Sequence, residues 1–183
     1  MGYEIAGALG VKMAAPEREV YALVGDGSYL MMSGEIVTSI QEGTKVIIIL
    51  VDNHGFASIG GLSRSLGSDG FGTQYRFRAN GSLGLDSDPD PAPYLPLDLA
   101  ANAESLGARV LRPKSVPELE AALAAAKTLD RTVVIHIEVD RYAVVPNYDA
   151  WWDVPVAEVA DVPAVKTARK DYEANRRSSR WYL

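Results

Sequence analysis

Between residues 3 and 15, Ile5, Ala6, Leu9 and Met13 recur at helical spacing, Gly7 and Gly10 allow close approach, and Pro16 ends the pattern. A helix is predicted there. Two short runs, 20–24 (Val-Tyr-Ala-Leu-Val) and 46–51 (Val-Ile-Ile-Ile-Leu-Val), are almost unbroken in aliphatic and aromatic residues. Such runs suit parallel strands buried on both faces. Between them, 35–42 predicts a helix, with Gly43 placed to close its C-terminus. The pattern resumes with Asp98 as N-cap of a helix reaching Leu106, a strand at 108–111, a helix at 116–127 and a strand at 132–139. This alternation predicts an α/β fold: a doubly wound, mainly parallel sheet with helices on both faces.

Two stretches fall outside that rhythm. Residues 55–96 are rich in Gly, Ser, Asp and Pro, lack a sustained apolar period, and far exceed an ordinary connection of about 4 to 6 residues. A functional or mobile loop is expected. From Pro146 onward, Trp151, Trp152, Trp181 and Tyr182 stand among charges and prolines, with one candidate helix at 164–175. The reading is a domain over 1–145 and a tail over 146–183 that packs on other parts of the protein. Because periodic apolar sequence begins at once after Met1-Gly2-Tyr3, the chain reads as a piece of a larger protein. There is no internal repeat.

Composition narrows the classes of function. At 183 residues, with 48% hydrophobic and 23% charged, the chain suits one packed domain rather than disorder. The net charge of −6, with no long basic run before Arg176, argues against a nucleic-acid binder, which needs clustered Lys and Arg. No apolar run approaches the ~20 residues of a membrane span, and Glu4 stands where a signal peptide would be basic. With no cysteine, disulfides and thiolate metal sites are excluded, which fits a soluble cytoplasmic protein. Any metal is left to oxygen donors, His54 or His136.

Both early strands end in oxygen donors, where open α/β sheets gather ligands. At the first, Gly25 allows the turn, Asp26 supplies a carboxylate, Gly27 lets backbone N–H groups approach phosphate oxygens, and Ser28 adds a hydroxyl. At the second, Asn53 offers an amide oxygen and Gly55 an unhindered carbonyl. Carboxylate, amide oxygen and carbonyl make half an octahedron, with room for two diphosphate oxygens and a water, as Mg²⁺ prefers. These donors are expected to face solvent before a cofactor arrives.

Gly25-Asp26-Gly27 followed by Asn53, in the order strand, turn, helix, strand, resembles the thiamine diphosphate (ThDP) motif of the transketolase, decarboxylase and acetolactate synthase superfamily. The resemblance implies Asp26, Asn53 and the Gly55 carbonyl as Mg²⁺ ligands, with Gly27 and Ser28 at the diphosphate. Where the family often has Asn-Asn, this chain has Asp52-Asn53, but the liganding position is the second. Residues 51–63 (Val-Asp-Asn-His-Gly-Phe-Ala-Ser-Ile-Gly-Gly-Leu-Ser) and 97–108 (Leu-Asp-Leu-Ala-Ala-Asn-Ala-Glu-Ser-Leu-Gly-Ala) resemble the trihydroxycyclohexane-1,2-dione hydrolases of inositol catabolism. The narrower resemblance implies a cyclic 1,2-dione substrate, cofactor chemistry that breaks a ring C–C bond, and a second subunit. It also implies that the glutamate activating the cofactor lies in a further N-terminal domain, so no catalytic residue is expected in this chain.

Other polar residues have plainer readings. His54 stands either against substrate or diphosphate or in solvent, and His136, inside Val-Val-Ile-His-Ile-Glu-Val, reads best as a sheet histidine satisfied by a hydrogen bond. Glu35 is either the family's common glutamate or simply first-turn acid on a helix. Arg64, Arg76 and Arg78 read as substrate or subunit contacts or as solvated charge, and Arg176, Arg177 and Arg180 as a subunit contact. An acetolactate synthase-like carboligase or decarboxylase would share every metal residue. A non-catalytic structural domain is disfavoured by Asp26 and Asn53.

Overall fold

The computed structural model describes residues 1–70, 72–78, 90–143, 145, 151 and 153–179. Trp152, Arg180, Trp181, Tyr182 and the 79–89 part of the predicted loop lie outside the described residues. The chain forms two compact units, Met1–Phe56 with Pro96–Tyr142, and Ala57–Leu95 with Ala143–Leu183.

The first unit holds the sheet. In chain order it contains α1 (Glu4–Ala14), β1 (Tyr21–Gly25), α2 (Asp26–Met32), α3 (Glu35–Gln41) and β2 (Ile47–Asp52). The second unit then contributes α4 (Ala57–Ser65). The first resumes with α5 (Leu99–Ser105), β3 (Arg109–Leu111), α6 (Val116–Thr128) and β4 (Val133–Glu138). The four strands are all parallel, in the order β1-β2-β4-β3. The predicted doubly wound sheet is therefore present, and each predicted helix and strand of this unit appears within a few residues of its expected bounds.

Chirality explains which helix covers which face. The chain steps one way across the sheet from β1 to β2 and on to β3, with α3 and α5 in the crossovers, then steps back to β4 through α6. Right-handed crossovers put helices on opposite faces when the direction reverses. Accordingly, Ile5, Leu9, Ile36, Leu99 and Ala103 pack with Ala22, Val24, Ile48, Leu50 and Val134 on one face. Ala122 and Ala126 of α6 pack with Ile47, Val133 and Ile135 on the other. On β2 the alternate side chains thus enter different cores, which is why its run is apolar without a break.

The connections are pinned by polar bonds and glycines. Thr132, 1% exposed, meets the Ser39 hydroxyl and accepts the Val46 N–H at 3.1 Å. Ser39 also donates to the Thr44 carbonyl, so the entries to β2 and β4 are tied to the end of α3. Ser115 caps α6 by accepting from the Glu118 N–H, while the Glu118 carboxylate accepts the N–H of Lys114, one residue before the cap, at 2.9 Å. Tyr29, fully buried, donates its hydroxyl to Asn102 Oδ1 at 2.8 Å and joins α2 to α5.

In the second unit, α4 corrects the expectation of a structureless loop. Its weak helix formers Ser58, Gly60, Gly61 and Ser63 hide the helix from pattern reading. Gly60 is required there, because a Cβ would lie 2.5 Å from Thr73 Oγ1. Farther on, Arg76 and Tyr94 form an antiparallel bridge. The Arg76 guanidinium lies 3.7 Å from the Tyr94 ring centroid and donates to the Ala92 carbonyl, so this arginine is a structural contact within the unit. The predicted last helix is α7 (Pro163–Ser178), whose Val165 and Tyr172 pack with Val156, Leu66, Ala160 and Ala168.

Two helix-closing glycines give a paired prediction. Gly43 (φ +59), after α3, has no atom within 4 Å of a would-be Cβ, whereas Gly107 (φ +99), after α5, has Ile40 Cγ1 at 3.2 Å. Both conformations disfavour a side chain. Gly43→Ala should therefore cost about 1 kcal/mol, and Gly107→Ala distinctly more, read from urea midpoints. Equal losses would show that Ile40 gives way freely.

Candidate functional site

β1 and β2 end side by side, Gly25 opposite Val51 in register, and the next residue along each carries a carboxylate. Asp26 begins α2 rather than sitting in an open turn, and with Gly27, Ser28 and Tyr29 it is buried. Its Oδ1 accepts the Gly27 N–H at 2.8 Å, and its Oδ2 accepts those of Gly55 at 2.9 Å and Asn53 at 3.2 Å. Asp52 closes β2. Its Oδ1 accepts the His54 N–H at 3.0 Å and its Oδ2 lies 2.9 Å from His136 Nε2. Three successive amides, of residues 53, 54 and 55, are thus taken alternately by Asp26, Asp52 and Asp26.

This grip shapes the loop. His54 adopts φ +58, the only non-glycine among the described residues with positive φ, and Gly55 follows at φ +154. A left-handed histidine is uncommon and persists where its surroundings hold it. Arg141, 7% exposed, donates from Nη1 to the His54 carbonyl at 3.3 Å. Gly27 is needed for packing, since a Cβ would meet the Phe56 ring at 2.5 Å; its N–H serves Asp26.

The strand-end donors do not all face solvent, contrary to the sequence expectation. Asp26 is 1% exposed and Asp52 4%. Burial is the main cause that pushes the Asp26 carboxyl up to about 6, with Asp52 adding to it and the Gly55 and Gly27 amides opposing. Burial would raise Asp52 too, but the hydrogen bond with His136, then the His54 amide and Asp26, hold it below the ordinary carboxylate range. His136 is thus the hydrogen-bonded sheet histidine that the sequence suggested. Glu35 lies in the first turn of α3.

One atom stands out. Asn53 Oδ1 is buried and accepts no hydrogen bond, a state that costs a polar atom about 1 to 3 kcal/mol and calls for a partner. It is an oxygen of the kind a hard cation takes, on a loop whose Asn53 and Gly55 amides both donate to Asp26. Among the described residues no three His, Cys, Asp or Glu side chains converge as a metal site. A cation here would depend on mixed charged and neutral oxygens. Sequence reasoning placed Asp26, Asn53 and Gly55 correctly in one locale; it did not find the part played by Asp52, Phe56 or Arg141, whose only signal was their type. Beyond Asp52 and His136, a cavity of about 720 Å³ opens at the ends of β2, β3 and β4, lined also by Asp98, Arg112, Lys114 and Glu138.

A parallel α/β sheet with buried oxygen donors at two adjoining strand ends defines a domain that holds its ligand beyond the carboxyl edge. The chain belongs to the thiamine pyrophosphate enzymes: residues 1–137 match their C-terminal TPP binding domain. Over 182 residues it is 40% identical to 3D-(3,5/4)-trihydroxycyclohexane-1,2-dione hydrolase 2 of Bacillus cereus. It is 41% identical to the 3D-(3,5/4)-trihydroxycyclohexane-1,2-dione hydrolase of Geobacillus thermodenitrificans. Each alignment covers 100% of this chain and 28% of the relative. Among solved structures, the thiamine diphosphate-dependent 4-hydroxybenzoylformate decarboxylase of Rhodococcus jostii RHA1 superposes with TM-score 0.60 at 21% identity, over 76% of this chain and 23% of that one. Benzoylformate decarboxylase from Polynucleobacter necessarius gives 0.56 at 24%, over 75% and 23%. Both likenesses concern the fold. No helix among the described residues is long and apolar enough to cross a membrane.

Two outcomes follow for the metal-free chain. Asn53→Ala should leave stability unchanged or raised, because the oxygen it removes has no partner, whereas Asp26→Ala should be destabilised by stranding three amides, at about 1 to 3 kcal/mol for each that stays buried; chemical denaturation reads both. The second concerns pH. Since the folded Asp26 carboxyl titrates near 6, above its unfolded value, its contribution to stability is fully present below about 4 and lost as pH rises through 6. Asp26→Asn should therefore gain on the parent between pH 4 and 7, and a pH-independent difference between them would refute the assignment.

Proposed function

We propose that the chain supplies the diphosphate- and metal-binding half of a ThDP- and Mg²⁺-dependent hydrolase that opens the ring of a trihydroxycyclohexane-1,2-dione to 5-deoxy-glucuronate in myo-inositol catabolism. The observation that carries this reading is the buried, unpartnered Oδ1 of Asn53, a residue whose backbone amide donates to the buried Asp26. The substrate class is supported by identity of about 40% along the whole chain to hydrolases bearing that name.

In this reading Asp26, Asn53 Oδ1 and the Gly55 carbonyl hold Mg²⁺, a hard cation content with one carboxylate and neutral oxygens. Gly25 ends the strand, and Gly27, Ser28 and His54 lie toward the diphosphate. When bound, ThDP supplies a nucleophilic carbon and an electron sink for C–C cleavage. The residues here bind and orient its diphosphate end. They lie at the wrong end to activate the aminopyrimidine, so the activating carboxylate comes from outside these 183 residues, as does a second subunit. A cytoplasmic setting agrees with the absence of cysteine.

Calorimetry with Mg²⁺ and ThDP tests the site: the parent chain should bind the pair, and Asn53→Ala, which spares stability, should abolish that binding. Unchanged affinity would remove Asn53 from the ligand set. For the activity, the 183-residue chain alone should not consume the dione, while the chain joined to the remaining portion of a full-length relative should. Turnover by the chain alone at a comparable rate would defeat the half-site reading, and decarboxylation or carboligation of 2-oxo acids by the joined protein would favour the acetolactate synthase-like alternative.

A further inference from the structure

We infer that His136 is a positioning residue for the cation-binding loop and acts through Asp52; the inference rests on the ThDP reading and concerns how the loop is held. The register brings the two together. Leu50 on β2 pairs with His136 on β4, so they share a face of the sheet, and Asp52, two residues on, returns to that face. The diagonal contact is the 2.9 Å bond between His136 Nε2 and Asp52 Oδ2, with 10% and 5% of the side chains exposed.

The bond decides what Asp52 can do. With Oδ2 engaged by His136, Oδ1 is aimed at the His54 amide. That amide is the middle one of three, and the other two belong to Asp26. Asn53 and Gly55, the two neutral donors, flank His54, so their separation follows from its left-handed backbone (φ +58). If Asp52 turns away, the middle amide loses its acceptor, His54 relaxes toward ordinary φ, and both donors move together. Arg141 holds the same residue from its carbonyl side, and the His54 ring lies 3.4 Å from Asp52 through Nδ1.

The test uses the 183-residue chain, with Mg²⁺ and ThDP as calorimetric probes, and amide hydrogen exchange at residues 53–55 without cofactor. His136→Ala should weaken Mg²⁺-dependent ThDP binding about 10- to 100-fold, the scale found for groups that orient metal ligands, and should speed exchange at all three amides. His136→Gln, whose side-chain N–H can serve Asp52, should recover most of both. Asp52→Asn keeps an oxygen for the His54 amide and should stay within about threefold of the parent. Because His136→Ala leaves a buried carboxylate unpaired, the double variant His136→Leu with Asp52→Asn should regain stability yet still bind weakly. Full recovery of affinity together with stability would overturn the proposal, as would parent-like exchange at 53–55 in His136→Ala. If the parent itself showed no Mg²⁺-dependent ThDP binding, the cofactor reading would fail, and the cofactor-free exchange rates would still decide whether His136 holds the loop.

Discussion

Two buried carboxylates, Asp26 and Asp52, hold the backbone of residues 53–55 between them, and the site depends on that clasp. It requires β1 and β2 to be neighbours, parallel and in the observed register, because only then do the carboxylates that follow Gly25 and Val51 emerge side by side and in contact. It also explains the packing close by. Asp26 must open α2 with its amide-facing oxygen turned back on Gly27, and Phe56, the residue after the clasped loop, fills the space that Gly27 leaves empty.

The clasp is not arranged for stability. One carboxyl is driven upward by burial, a histidine is left-handed, and an amide oxygen is buried without a partner. The sheet can hold these groups because the two cores beneath them are ordinary and well filled, with Ile48, Leu50, Val133, Val134 and Ile135 fully buried. Each such side chain contributes about 1.5 to 3 kcal/mol on burial, enough to offset local costs of a kcal/mol or two. A ligand that satisfies Asn53 and Asp26 would relieve strain already present, which is how preorganised sites favour binding.

Family membership and local geometry answer different questions. The match over residues 1–137 and the 28% share of the relatives' length set the class of domain and its relation to larger enzymes. Geometry shows which atoms of this chain meet at the two strand ends and how they are hydrogen-bonded. The departure at Asp52 illustrates the difference: as a substitution in a motif it looked incidental, but in the fold it carries the bond to His136 and the middle amide of the loop.

Much of the fold was legible in the chain because its signals are local. Unbroken apolar runs marked β1 and β2, the capping residue Asp98 marked a helix start, and Gly43 marked a helix end. That Asp26, Asn53 and Gly55 meet was legible because each follows a strand run, and neighbouring parallel strands bring their carboxyl ends together. What stayed hidden was nonlocal or masked by composition. Helix α4 lies in a Gly- and Ser-rich stretch where propensity argues against it. The burial of Asp26, the reach of His136 to Asp52 and of Arg141 to His54 depend on strand order and register, which place residues some 84 positions apart within 2.9 Å. Apolar period determines that a segment is a strand, but hydrogen-bonded alignment between strands decides which polar side chains meet at its end.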